Sequence, residues 1–214
     1  MKKMILILLT IIFSLNLNGS YSYNEDDLYK DVNSIIDFCE GGLKVSFSTN
    51  KDLKEILDSI NELDLSYLDC TLNKDSELED KFYFEKSNNE NSIKVLIGKD
   101  KNYKVEIEII DKKNMINIEE LKKELDKLSK DTHNFNYFTF IKGKLQNQSN
   151  YELENNLFNI LDCYNIQNKS SILLENGLTG IFTVQETLKF NYSIMNYNDG
   201  TYLIMGSPII FITY

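Results

Sequence analysis

The chain of 214 residues is 42% hydrophobic and 26% charged, with nine Gly and one Pro, a composition typical of a soluble folded protein. All 23 basic residues are Lys, and 33 acidic residues bring the net charge to −10. Because nucleic-acid affinity depends on basic side chains that neutralise phosphates, this balance argues against nucleic acid as a partner. One His and three Cys also leave little for histidine-based catalysis or a metal cage, so we expect no metal and no cofactor.

The N-terminus has the residue order of a secretory signal peptide. Two lysines precede an apolar run from Met4 to Leu17, and Ser20 and Ser22 supply small residues before a cleavage point. A bilayer span needs about 20 apolar residues, more than this run contains, so a retained anchor is the weaker alternative. We expect cleavage after Ser22, which predicts a secreted, extracytoplasmic chain without a membrane span.

The first half of the remaining chain predicts a helix, a strand, a second helix and four strands. The first helix is predicted from Asp26 to Glu40, ended by Gly41 and Gly42, and the strand over Leu43–Ser48. The second helix is predicted over Lys51–Leu63 because its leucines and isoleucines share one face. The four strand predictions lie near Cys70 and over Phe82–Lys86, Ile93–Gly98 and Tyr103–Ile110.

The second half repeats this order. Helices are predicted over Ile118–Lys130, capped by Asn117, and from Ser149 or Asn150 to about Cys163, with a strand over Phe135–Leu145 between them. The next four strands are predicted near Ser171–Glu175, Thr179–Gln185, Leu188–Tyr197 and Thr201–Tyr214, with tight turns at Asn176-Gly177 and Asn198-Asp199-Gly200.

The duplicated order predicts an α+β protein with two pseudo-repeats of strand, helix and four strands. Residues 23–114 and 115–214 form the two repeats, after a signal peptide of residues 1–22. This layout resembles the TATA-box-binding-protein fold, a curved antiparallel sheet with helices on one face. An antiparallel sheet of that kind can leave its other face to solvent.

A segment near the C-terminus carries a family resemblance. It runs from Lys189-Phe190-Asn191-Tyr192 through Asn196–Tyr202 to Met205-Gly206-Ser207-Pro208-Ile209-Ile210 and Tyr214. It resembles the YwmB family, also called TATA-box-binding-like, of exported bacterial proteins that end in Gly-Thr-Pro-Ile-Ile and a terminal Glu-Tyr. Here Ser207 replaces the Thr and Thr213 replaces the Glu. The resemblance covers residues 189–214 and implies a fold and an exported location, without a reaction or a ligand.

The cysteines, the histidine and the first acidic run have structural interpretations. Cys39 and Cys163 continue apolar stripes of predicted helices, so we expect both to be buried, and whether either pairs with Cys70 stays open. His133 follows a predicted helix, and a Cys–His dyad would also need an orienting group. Asn24–Asp27 favours a helix cap over a calcium loop, because it lacks the spacing and the Gly of such a loop.

The two faces of the predicted sheet differ between the halves. In the first half one face carries Lys and Glu, whereas in the second half both faces are apolar and rich in aromatics. An exposed apolar face often marks an interaction site, so we hypothesise binding on the open face of the C-terminal half. The alternative is that the chain's own helices or termini cover that face. The candidate binding residues are Phe138, Phe140, Met195, Tyr197, Tyr202 and Ile204.

These observations predict a non-catalytic binding or scaffolding protein at the bacterial cell envelope. The expected partner is an envelope protein, a cell-wall glycan or a second copy of the chain. The alternative is a cell-wall hydrolase that uses acidic side chains, which would need two carboxyl groups facing each other across a cleft.

Overall fold

A computed structural model describes residues 24–64, 74–78, 81–115, 117–145 and 149–212. The predicted signal peptide of residues 1–22, Cys70, and the terminal Thr213 and Tyr214 lie outside these residues. The described helices are α1 (Glu25–Asn33), α2 (Leu53–Asn61), α3 (Ile118–Leu125) and α4 (Asn150–Ile160), the last two each extended by a short 3₁₀ turn. The strands are β1 (Asp37–Thr49), β2 (Lys74–Leu78), β3 (Lys81–Ser87), β4 (Asn91–Lys99), β5 (Tyr103–Asp111), β6 (Thr132–Leu145), β7 (Ile166–Leu174), β8 (Gly177–Val184), β9 (Leu188–Tyr197) and β10 (Gly200–Ser207).

The strands of the described chain form one antiparallel sheet of ten strands. Their order across the sheet is β2-β3-β4-β5-β1-β6-β10-β9-β8-β7. The first strand of each half, β1 and β6, pair at the centre, where Leu43 lies opposite Thr139. The predicted α+β class, with a large open antiparallel sheet, is confirmed. Among the described helices, none is both long enough and apolar enough to cross a membrane.

The helices cover one face of this sheet. Buried residues of all four helices, such as Leu28 and Leu157, join one core cluster with alternate residues of the strands, such as Val45 and Ile194. The opposite face, called here the open face, carries the other alternate residues. In the N-terminal half it is polar as predicted, with ion pairs between Lys44 and Glu106 at 3.9 Å and between Lys94 and Glu108 at 3.6 Å.

Side-chain caps determine where the helices begin. The side chains of Asp52 and Ser149 accept hydrogen bonds from backbone N–H groups of α2 and α4, and each is part of a capping box. The predicted caps Asn117 and Asn24 are also confirmed: Asn117 accepts from the N–H of Glu120, and Asn24 accepts from the N–H of Asp26. Among the described residues, no group of three or more metal-ligating side chains is present.

The prediction that the first helix extends to Glu40 is wrong. The helix α1 ends at Asn33, and Gly41 and Gly42 lie inside β1. A Cβ atom on Gly42 would lie 2.4 Å from a ring carbon of Phe140 and 2.8 Å from the carbonyl oxygen of Ile109. The glycine is therefore required by the close approach of a neighbouring ring and not by the end of a helix.

The last predicted strand is too long, and one predicted turn is shifted by one residue. β10 ends at Ser207, because Pro208 has no N–H to continue the ladder; the Ser207–Pro208 peptide is cis. Leu174 pairs with Gly177, so Glu175 and Asn176 form the turn and Gly177 begins β8. Residues 208–212 leave the sheet.

Candidate functional site

The six candidate binding residues share the open face of the C-terminal half, but their exposure differs. Phe140, Met195 and Ile204 are buried, and Phe138 and Tyr202 are half-buried. Tyr197 is 37% exposed. The exposed part of this face is therefore smaller than the alternation of residues predicts.

The C-terminal segment 208–212 covers part of the open face. The ring of Phe211 meets that of Phe140 edge to face, with centroids 5.1 Å apart. The ammonium of Lys44 lies 5.3 Å from the Phe211 centroid and 5.0 Å from that of Phe138. Asn191 donates from Nδ2 to the carbonyl oxygen of Pro208. Phe138 and Phe140 of the candidate site therefore take part in an internal contact with the C-terminal segment. For this part of the face, the alternative that the chain covers it with its own terminus applies.

The other part of the open face contains a cavity of about 410 Å³, called here the tyrosine pocket. This volume lies within the range of small-molecule sites. The pocket lies where the beginning of β1, the end of β5 and the β9–β10 turn meet at β6. Its lining residues are Cys39, Glu40, Lys112, Lys142, Tyr197, Asp199 and Tyr202.

Two aromatic rings form one side of the tyrosine pocket. The centroids of Tyr197 and Tyr202 are 5.5 Å apart, and the ring planes meet at 77°. Tyr202 donates its phenolic hydrogen to Asp199 Oδ2 at 2.5 Å. This bond lowers the pKa of the Asp199 carboxyl group and raises the pKa of Tyr202 to about 12. Both groups therefore keep their ordinary charge states at neutral pH.

Three lysines lie in or beside the tyrosine pocket. Lys142 Nζ forms an ion pair with Glu40 at 2.9 Å and lies 5.9 Å from the centroid of Tyr202. Lys144 donates to the backbone carbonyl of Asp199 and lies 5.8 Å from the same centroid. Lys112 is exposed, and it takes part in none of the ion pairs found among the described residues.

The prediction that Cys39 and Cys163 are buried side chains of two helices is wrong. Both Cys39 and Cys163 are free thiols. Cys39 lies in β1 and not on a helix, where it is half-buried and lines the tyrosine pocket. Cys163 is exposed in the 3₁₀ turn after α4, because the last turn of the predicted helix is tighter than an α-helix and shifts the apolar stripe.

The histidine does not join the tyrosine pocket. His133 lies within β6 and is exposed, whereas the sequence predicts a position at the end of a helix. It pairs with Ser48 at one end of the β1–β6 ladder, and Phe38 pairs with Gly143 at the other end. Because a strand rises about 3.3 Å per residue, a dyad of Cys39 and His133 is excluded by distance.

The remaining titratable groups with strongly altered surroundings lie on the helix-covered face. Asp26 is buried, its Oδ2 accepts from the N–H of Glu119 at 3.1 Å, and burial raises the pKa of its carboxyl group. Tyr192 donates to Glu154 at 2.5 Å, and both side chains are buried. Asp26 thus links α1 to α3, and Tyr192 holds α4 against the sheet. A second cavity, of about 440 Å³, also lies on that face, between the beginning of β1 and α4.

Sequence reasoning identified Tyr197 and Tyr202 but missed the charged part of the tyrosine pocket. Lys142 and Lys144 could have been found, because they alternate with Phe138 and Phe140 and so share their face. Cys39 and Lys112 come from the other half of the chain, and only strand pairing brings them to the pocket. No family model matches the chain, and no curated protein matches it significantly.

Proposed function

We propose that this protein is a non-catalytic binding or scaffolding protein that is exported to the bacterial cell envelope and binds its partner at the tyrosine pocket. The partner is an envelope protein or a cell-wall glycan. The observation that carries the proposal is the tyrosine pocket itself, where exposed Tyr197, half-buried Tyr202 and two lysines border a cavity of about 410 Å³ on the open face of the sheet. The N-terminal residue order supports export.

The proposal includes a TATA-binding-like pseudo-repeat fold of the YwmB type. Each half of the chain has the element order strand, helix and four strands, as β1-α2-β2-β3-β4-β5 and as β6-α4-β7-β8-β9-β10. The order of the strands in the sheet is also symmetric about the central β1–β6 pair. Outward from β1 come β5, β4, β3 and β2, and outward from β6 come β10, β9, β8 and β7. A duplicated unit whose two copies join through their first strands has this symmetry.

The alternative of a cell-wall hydrolase receives no support from the tyrosine pocket. Glu40 and Asp199 both line it, but a general acid needs a carboxyl group whose pKa is raised. The hydrogen bond from Tyr202 lowers the pKa of Asp199, and Lys142 holds Glu40 in an ion pair. This arrangement favours binding over proton donation.

The test is cosedimentation of the purified protein with isolated cell wall, together with capture from an envelope extract. The variant carries Tyr197→Ala and Tyr202→Ala, because buried Met195 is unsuitable for substitution. The matched control is Tyr151→Ala, a tyrosine that is 71% exposed on α4, which packs on the opposite face. We expect the double variant to lose binding and the control to keep it. Equal binding by all three proteins would contradict the proposed site.

A further inference from the structure

We propose that the tyrosine pocket binds a negatively charged sugar, that is, a carbohydrate ring that carries a carboxylate or a phosphate. This inference rests on the proposed function and adds to it the chemical class of the ligand. The argument uses the charge, the ring geometry and the hydrogen-bonding groups of the pocket.

The tyrosine pocket does not share the acidic excess of the whole chain. The chain has a net charge of −10, yet the lining of the pocket balances Lys112 and Lys142 against Glu40 and Asp199. Lys144 lies beside the pocket and donates to the backbone carbonyl of Asp199. The pairing of Lys142 with Glu40 leaves Lys112 as a cation without a carboxylate partner among the described residues. An anionic group beside Lys112 would form a charge-assisted hydrogen bond, which is stronger than a neutral one.

The aromatic pair provides surfaces for a ring. Tyr197 and Tyr202 meet at 77°, so their rings border the cavity in two directions, and Tyr197 is 37% exposed. The apolar C–H face of a sugar ring can pack on such a surface and remove it from water. A small inorganic anion would leave these rings uncovered.

The acids of the tyrosine pocket can accept hydrogen bonds from hydroxyl groups. Glu40 and Asp199 each use an oxygen in the contacts with Lys142 and Tyr202, and a carboxylate has further lone pairs to offer. Hydroxyls on the ligand would use this capacity, whereas an anion without hydroxyls would meet repulsion from both acids. A sugar with one anionic group matches all three features.

The experiment measures protection of Cys39 from alkylation by mass spectrometry on the full chain. Cys39 lines the tyrosine pocket, and exposed Cys163 in the same molecule serves as internal control. The probes are two matched pairs: N-acetylmuramic acid with N-acetylglucosamine for a carboxylate, and glucose 6-phosphate with glucose for a phosphate. At a concentration about ten times its dissociation constant, a bound ligand leaves about a tenth of the pockets open, so Cys39 should react about tenfold more slowly.

We expect protection by the charged member of at least one pair, with the rate at Cys163 unchanged. Lys112→Gln should raise the dissociation constant of the charged sugar about tenfold, since it removes one charge-assisted contact. The protection given by the neutral sugar should not change. Lys113→Gln is the matched control, because its ammonium is held by Glu90 at 2.8 Å outside the pocket.

Equal protection by neutral and charged sugars, or an equal loss in the Lys112 and Lys113 variants, would overturn the anionic part of the inference. Absence of protection by all four probes at up to about 10 mM, above the range of weak specific binding, would overturn the sugar itself. If cell-wall or envelope binding still depends on Tyr197 and Tyr202 in that case, the proposed function stands and only its ligand class fails.

Discussion

At the scale of single residues, glycine has two different roles in this sheet. Gly42 in β1 allows the ring of Phe140 to lie against the backbone, which connects the centre of the sheet to the covered part of the open face. Gly98 near the end of β4 has no heavy atom within 4 Å of the place where a Cβ would stand. The same residue type is thus required by packing at one position and free at the other.

We expect Gly42→Ala to lower the free energy of unfolding by about 1–3 kcal/mol, because the added methyl must displace a ring and a backbone carbonyl. Gly98→Ala should leave it unchanged or raise it by up to about 1 kcal/mol, since alanine restricts the unfolded chain. Urea unfolding of both variants measures the difference. Equal effects would show that the Gly42 contact is not a constraint on the fold.

At the scale of elements, β7 is an edge strand whose apolar side chains lie outside the core at its C-terminal end, whereas Ile166 at its beginning packs against the core. Ile172, Leu173 and Leu174 are 67%, 80% and 41% exposed. Leu173 lies opposite Leu178 of β8, which is only 5% exposed and belongs to the core cluster. The boundary of the core therefore passes between these two paired strands.

This boundary predicts different costs for the same substitution. Leu178→Ala should lower the free energy of unfolding by about 2–4 kcal/mol, because it leaves a cavity in the core cluster. Leu173→Ala should change it by less than about 0.5 kcal/mol, as is usual for an exposed site. Thermal and urea unfolding measure both values. A large cost at Leu173 would mean that β7 is covered in solution, for example by another chain.

At the scale of the whole molecule, the two halves share one sheet and one core. The central β1–β6 pair joins them, and tyrosine hydroxyls link helices to the sheet and to each other on the covered face. Three of these hydroxyls donate to acids of helical segments, and that of Tyr29 bonds the hydroxyl of Thr139. Burial is the main cause that raises the pKa of these tyrosines above its ordinary value of about 10. The group comprises Tyr29, Tyr137, Tyr164 and Tyr192.

The raised pKa values predict alkaline destabilisation. The contribution of these phenols to the free energy of unfolding is fully present below a pH of about 10, where the tyrosines of the unfolded chain are still protonated. It is lost as the pH rises toward the pKa values of the folded state. The free energy of unfolding should fall as the pH rises above that point, by at most about 1.4 kcal/mol per pH unit for a fully buried phenol such as that of Tyr29 and by less for half-buried Tyr137. Urea unfolding between about pH 8 and pH 11 measures this slope.

Tyr192→Phe tests one member of the group. It should be less stable than the parent by about 1–3 kcal/mol near pH 8, because buried Glu154 loses its donor, and its alkaline slope should be shallower. Tyr151→Phe, at a 71% exposed position, should change neither value. An unchanged slope in the Tyr192 variant would show that this phenol ionises equally in both states.

Much of the architecture could be predicted from local patterns. The period of apolar residues located α2, α3 and α4 and most strands, and the cap residues Asn117 and Ser149 marked two helix starts, since these signals depend on neighbours in the chain. The first helix was predicted too long because the apolar stripe continues past Asn33 into β1. A strand and a helix can both bury such a short apolar segment, and only pairing with β5 and β6 selects the strand.

The candidate site was also predictable in part from local patterns and in part only from the tertiary structure. Alternation along β9 and β10 placed Tyr197 and Tyr202 on one face, because side chains of a strand point to opposite sides by geometry alone. Which of those residues stay exposed was decided by tertiary structure, since the segment 208–212 folds back onto Phe140 and leaves the tyrosines uncovered. The approach of Cys39 and Lys112 to Tyr202 was decided in the same way, because it requires β1 to pair with β5 on one side and with β6 on the other, at separations along the chain that no local pattern encodes.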